Sequence, residues 1–125
     1  MFLTKEQILK KQDLPVETVY IKEWDGEVRV RGLTGKERDD FERIVFSDQE
    51  TGWINFRAKL IALTVIDDKG ELLFSSSDIQ ELGKKSGNAL DKIFAVAQRL
   101  SGLRKEDVDE ITKNSENQSK DSNSN

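Results

Sequence analysis

The chain has 125 residues, 35% apolar and 35% charged, and a net charge of −4 at pH 7 with both signs mixed along it. That length normally makes one domain and can bury enough surface to fold alone. The chain has neither cysteine nor histidine, which excludes disulfides, thiolate chemistry, Cys-based zinc and any Ser-His or Cys-His pair.

The acidic balance argues against nucleic acid as the main partner, because phosphate binding wants a basic patch. No apolar run approaches the ~18 residues of a membrane span. The opening MFLTKEQILKK has charge where a signal peptide needs a long apolar core. The cytoplasm is the expected setting.

Residues from about 4 to 12 read as a short helix, capped by Thr4 with Gln7 as its box partner. Ile8 and Leu9 are expected to dock it, and Leu14-Pro15 ends it because proline holds the preceding residue extended. A β-hairpin follows over about 16 to 32. Asp25-Gly26 suits a two-residue type I′ turn, which needs positive φ at both central positions. That turn sets Ile21 opposite Val30 and Glu23 opposite Val28, with Val19, Ile21, Val28 and Val30 on one face.

Thr34-Gly35-Lys36-Glu37 is a capping box for a helix over about 35 to 47, with Phe41, Ile44 and Val45 on its apolar face. Residues 47 to 52 read as a loop. A third helix begins near Trp53. It is apolar on most sides, so it is buried centrally or has a second protein against it. Its β-branched end, Thr64-Val65-Ile66, is expected to leave as a strand, turn at Asp67-Asp68-Lys69-Gly70 and return through Glu71 to Phe74.

Ser77 with Gln80 is expected to cap a short helix over about 78 to 84, stopped by Gly83. Ser86 starts a fifth helix in which Ala89, Leu90, Ile93, Phe94, Ala97 and Leu100 recur at three- and four-residue spacing, with Gly102 at its C′ position. A last short helix is expected over about 104 to 112. The polar run NSENQSKDSNSN from 114 to 125 has no apolar residue to offset the entropy of ordering, and is expected to be disordered.

The expected fold class is therefore α+β: a small N-terminal hairpin sheet packed with a mainly helical C-terminal part, in one domain over 1–113. Nothing in the chain carries catalytic or cofactor chemistry. Asp67-Asp68 reads as turn composition and Asp39-Asp40 as a solvated helix face; neither has the spaced ligands of a calcium loop. Gly32-Leu33-Thr34-Gly35-Lys36 lacks the glycine spacing and ending of a phosphate loop. No metal site, cofactor site or enzyme activity is expected.

The apolar stripe Trp53, Phe56, Leu60 and Leu63 is ordinarily core, and can also line a groove for a partner helix. Together with the fifth helix it can leave a groove or a self-association face, which makes homo-oligomers an open expectation. Trp24 beside the hairpin tip is either an interface anchor or packing against the sheet edge. The candidate partner-binding residues are thus Trp24, Trp53, Phe56, Leu60, Leu63 and Phe94.

Several segments, taken in order, resemble one family. They are the opening LTKEQILKKQDL, the acidic-aromatic hairpin EWDGEVRVR and the turn-and-helix LTGKERDDFE. The WINFRAKLIAL run, the DDKGELLF turn, SSDIQEL and ALDKIFAVAQRLSGL follow. Over roughly residues 2 to 113 the chain resembles the tail assembly chaperones of long-tailed bacteriophages, mainly those of Gram-positive hosts. Lys22 stands where related chains more often carry proline.

The resemblance implies a non-enzymatic protein of the host cytoplasm. It would bind the tape measure protein, keep that long helical chain soluble while tube subunits polymerise around it, and then leave. The tail tube protein is a further implied partner, and the polar tail would be the tether to a second domain in a longer frameshifted form. Two other classes fit the same residues: a structural tail or virion component, and a small regulatory adaptor.

Overall fold

Local capping places the first elements. In the computed structural model, which describes residues 1–47, 54–103 and 106, Thr4 caps helix α1 (Lys5–Lys10) with both halves of its box formed. The Gln7 amide donates to the Thr4 hydroxyl at 3.2 Å, and the Thr4 amide donates to the Gln7 side chain at 2.9 Å. The expected docking of this helix does not occur. Ile8 is 56% and Leu9 75% exposed, and α1 has no buried residue. Six residues followed by extended Lys11 give a capped turn that stands beyond the sheet.

The hairpin forms with its faces as expected and its register different. Strand β1 (Val16–Ile21) pairs antiparallel with β2 (Gly26–Arg31), setting Val19 opposite Val28 and Ile21 opposite Gly26. Lys22–Trp24 forms a turn of 3₁₀ helix and Asp25 takes the left-handed conformation at φ 49. Gly26 stays at negative φ and opens the strand, so the loop is longer than a type I′ turn. The Tyr20 hydroxyl donates to the Asp25 carboxylate at 2.9 Å, holding the wider loop closed. The slip is four residues. Because side chains alternate with period two, an even slip leaves Val19, Ile21, Val28 and Val30 on the core face; Ile21 and Val30 are fully buried.

Thr34 caps α2 (Gly35–Ser47) through its box with Glu37. Phe41 and Val45 face the core, but Ile44 is 43% exposed, and Phe46 packs inward in its place. At about 100° per residue, positions 41, 45 and 46 span an arc that leaves 44 at its margin.

The third helix, α3 (Phe56–Thr64), buries six of its nine residues, so its nearly uniform apolar surface reflects a central position. It ends where β-branching takes over. Val65–Ile66 is strand β3, Gly70 turns the chain at φ 86, and Ile66 bridges to Leu72. The Thr64 hydroxyl, fully buried, donates to the Leu60 carbonyl at 2.8 Å.

Helix α4 (Ile79–Leu82) is entered through a 3₁₀ turn capped by Ser75 and Asp78, not by Ser77 and Gln80. Ser77 instead shares a hydroxyl contact of 2.7 Å with Ser75. Helix α5 (Gly87–Ser101) runs from Ser86 to Gly102 as read from the sequence. Gly102 at φ 66 donates to the Arg99 carbonyl and Leu103 to that of Gln98, which is a Schellman ending. Of the helix expected over 104–112, only Glu106 is among the described residues, and 114–125 lie outside them.

The strand order is β1-β2-β3, all antiparallel. Helix α5 packs across β1 and β2, α3 packs on α5, and α2 and α4 pack on α3. The core draws Ile21 and Val30 from the sheet, Phe41 from α2, Leu60 and Ile61 from α3 and Ile93 from α5.

A charged pair fastens the sheet to α2. Arg31 makes two 2.9 Å hydrogen bonds to the Glu37 carboxylate, which also accepts from the Thr34 amide. Mainly through Arg31, the Glu37 carboxyl is held down to about 2 from its ordinary 4.5. A carboxyl lowered on folding contributes stability that is present above its unfolded value and lost as pH falls through its folded one. The thermal midpoint is therefore expected to drop between pH 4.5 and about 2, and less steeply in Glu37→Gln. At neutral pH that variant leaves Arg31 half-buried without its counter-charge, at a cost of about 1–3 kcal/mol. Thermal scans of the two chains from pH 7 downward measure both effects.

Candidate partner-binding surface

Helix α5 is gripped from both sides by ion pairs on successive residues. Asp91 accepts from Arg57 of α3 at 2.6 Å, and Lys92 donates to Glu23 of the hairpin turn at 3.1 Å. Neighbouring residues point about 100° apart around a helix, so α5 lies between α3 and the hairpin tip. The Lys92 contact lowers the exposed Glu23 carboxyl below its usual range. Burial pulls the Lys59 amine of α3 down.

These contacts place the residues singled out from the sequence. Phe56, Leu60 and Phe94 are 2%, 0% and 6% exposed and belong to the core. Phe56 meets Phe94 edge to face, with centroids 5.5 Å apart and planes at 88°, a favoured geometry for an aromatic pair. The Arg57 guanidinium stacks over the Phe56 ring at 4.6 Å. Leu63 is half-buried against the core. Trp24, 38% exposed, stands in the turn beside Glu23. Trp53 lies outside the described residues.

Phe56 and Leu60 of the stripe are therefore core in the single subunit, and a partner reaches Leu60 or Phe94 only if the helices part. Phe56 differs, because it also forms the wall of an open groove. That groove, about 480 Å³, runs between the start of α3 and the α4–α5 connection, and Ile54, Phe56, Ala58 and Leu90 line it together with Asn55, Arg57, Lys85 and Asp91. A larger depression of about 800 Å³ lies where the chain before β1 meets the sheet, between Leu14, Val16, Arg29, Ile66 and Leu100.

Sequence reasoning missed the largest exposed apolar set. Met1, Phe2, Leu3, Ile8 and Leu9 are all more than half exposed, and Leu72 and Leu73 of the β3 hairpin are 40% and 55% exposed. Periodicity cannot find such residues, since a short apolar helix looks the same docked or free.

Among the described residues no three carboxylates converge on a metal-sized site, and no helix is long and apolar enough to cross a membrane. No family model matches the chain and no curated protein matches it. A solved structure does: the tail assembly chaperone of bacteriophage HK97 superposes with a TM-score of 0.58 at 17% identity, over 76% of this chain and 94% of that one. The fold built from these elements is thus similar, over 76% of the chain, to that of the HK97 tail assembly chaperone.

Proposed function

We propose that this protein is a phage tail assembly chaperone that binds the tape measure protein and keeps it soluble while the tail tube is built. The observation that carries the reading is the fold shared with the HK97 chaperone along nearly that protein's whole length. The segment order read from the sequence supports it independently, since it arises from local motifs and not from the superposition. The role is one of binding, with no bond made or broken. Its setting is the host cytoplasm, and the tail tube protein is a second partner in the same assembly.

The physical requirements are an apolar surface for the client's helical stripes and a charged exterior against aggregation. The groove beside Phe56 and Ile54, with Trp24 across α5, offers the first; a chain that is 35% charged offers the second. We place the client in this groove at the start of α3.

Co-expression with the tape measure protein of the same genome tests the proposal. The expected result is soluble tape measure protein that co-purifies with this chain. Unchanged insolubility without co-purification counts against it. Finding the chain in purified virions by mass spectrometry would favour a structural tail component instead.

A further inference from the structure

We propose that the acidic segment after α5, residues 106–112, folds back within its own chain into the depression where the chain before β1 meets the sheet. Strand pairing places that depression. Val16 lies opposite Arg31 and Thr18 opposite Arg29, so Val16, Arg29 and Arg31 share the sheet face turned away from Ile21 and Val30. Helix α5 covers the Ile21 and Val30 face, and the other face is open.

The depression is apolar and basic together. Leu14 and Val16 are 36% and 46% exposed in its wall, beside Ile66 and Leu100. Lys11, Arg29, Arg31 and Lys69 line it against a single carboxylate, Asp13. Arg31 is committed to Glu37. Lys11, Arg29 and Lys69 are exposed and have no ion pair among the described residues.

The segment that follows α5 has the complementary character and starts at the wall. Leu100 lines the depression, and Ser101 beside it accepts from the amide of Leu33, another lining residue. Gly102 then ends the helix in the left-handed conformation, and Leu103 is buried. Residues 106–110 read Glu-Asp-Val-Asp-Glu, and Ile111 follows. In the helix expected there, Val108 and Ile111 are three apart and share one face, with carboxylates on either side of them. A helix over 104–112 is only about 13 Å long, a span that matches a seat beginning at its own first turn. The tether gives this segment an advantage over any acidic peptide arriving from solution. The seat lies at the opposite end of α5 from the client groove, since Gly87 lines the groove and Leu100 the depression.

A nitroxide label tests this in the full chain. The sequence has no cysteine, so Asn114→Cys takes one label just past the segment. The amide signals of Val16, Arg29 and Gly70 should lose intensity, and those of Phe56 and Gly87 should keep theirs. Val108→Asp with Ile111→Asp should unseat the segment and restore the lost signals. Arg29→Glu with Lys69→Glu, both at exposed positions, should restore them as well, and adding Asp109→Lys with Glu110→Lys should bring the loss back. The dispersion of the remaining amide signals reports whether each variant keeps its fold, and the charge exchange stands if the aspartate variant does not. Labelled chain mixed with isotope-enriched, unlabelled chain should spare Val16, Arg29 and Gly70, because the contact is made within one chain.

Full intensity at Val16, Arg29 and Gly70 in the labelled chain overturns the proposal. So does a loss that neither the aspartate nor the glutamate substitutions diminish, which an unseated tail would give. A loss centred on Phe56 and Gly87, or one that appears in the mixed sample, overturns it too.

Discussion

Replacing Phe56 with alanine is expected to lower the stability of the fold by about 3–5 kcal/mol. The ring is 2% exposed and loses three things at once: its burial, its edge-to-face contact with Phe94 and its place beneath Arg57. Domains of this kind are stable by only about 5–15 kcal/mol, so the variant will sit near the limit of folding at growth temperature. The open groove on the far side of Phe56 admits water into part of the space left, which favours the lower half of the range. Phe94→Ala, at 6% exposure, should cost a similar amount. The two together should cost less than the sum, by about 0.5–1.5 kcal/mol for the lost aromatic pair. Urea unfolding of the four chains gives the cycle. A loss below about 1 kcal/mol in Phe56→Ala would show that the α3–α5 contact is not where the core is fastened.

Where the sequence succeeded, the signal was local. The Thr4 and Thr34 boxes, the Ser86 cap and the Gly102 ending each involve groups within a few residues, and all four form. The departure of Val65–Ile66 from helix to strand was legible for the same reason, because β-branching acts on the residue that carries it. The hairpin shows where this stops. Alternation fixed the two faces, but register depended on the loop. Lys22–Trp24 forms a 3₁₀ turn in a place where Asp-Gly alone suggested a tighter reversal. The Ser75-Ser76-Ser77 run offers three hydroxyls for one cap, and only the packed chain selects Ser75.

The candidate surface was less legible, because apolar pattern reports that a residue seeks burial without saying by what. Phe56, Leu60 and Phe94 find it within the subunit. Ile8, Leu9 and Ile44 carry the same pattern and do not. Helix α1 shows the difference clearly: its cap is encoded in four residues, while docking needs an opposing surface that this chain does not place there. The result is a fold whose interior follows from periodicity and whose exposed apolar residues are found only after the elements are assembled.

The close approach of β2 to α5 yields the second large effect. Gly32 follows β2 directly, and a Cβ there would lie 2.5 Å from the Leu100 carbonyl oxygen and 3.2 Å from the Pro15 ring. Its φ is not in the left-handed region, so the constraint is one of space alone. Both neighbours resist displacement. Leu100 is in the last turn of α5, fixed by the Gly102 ending, and Pro15 directly precedes β1, its carbonyl accepting from the Gly32 amide at 2.9 Å. The next residue is held too, since the buried Leu33 amide donates to Ser101 Oγ at 3.0 Å.

Gly32→Ala must therefore push the strand from the helix and stretch these hydrogen bonds. The expected cost is about 1–3 kcal/mol for overpacking and about 1 kcal/mol for each bond lost. Gly35→Ala is the matched control, because nothing lies within 4 Å of its Cβ and alanine favours the first turn of α2 by up to about 1 kcal/mol. Thermal unfolding of the two variants should shift in opposite directions. A Gly32→Ala chain as stable as the wild type would mean that β2 and α5 do not meet as closely as their backbones are placed.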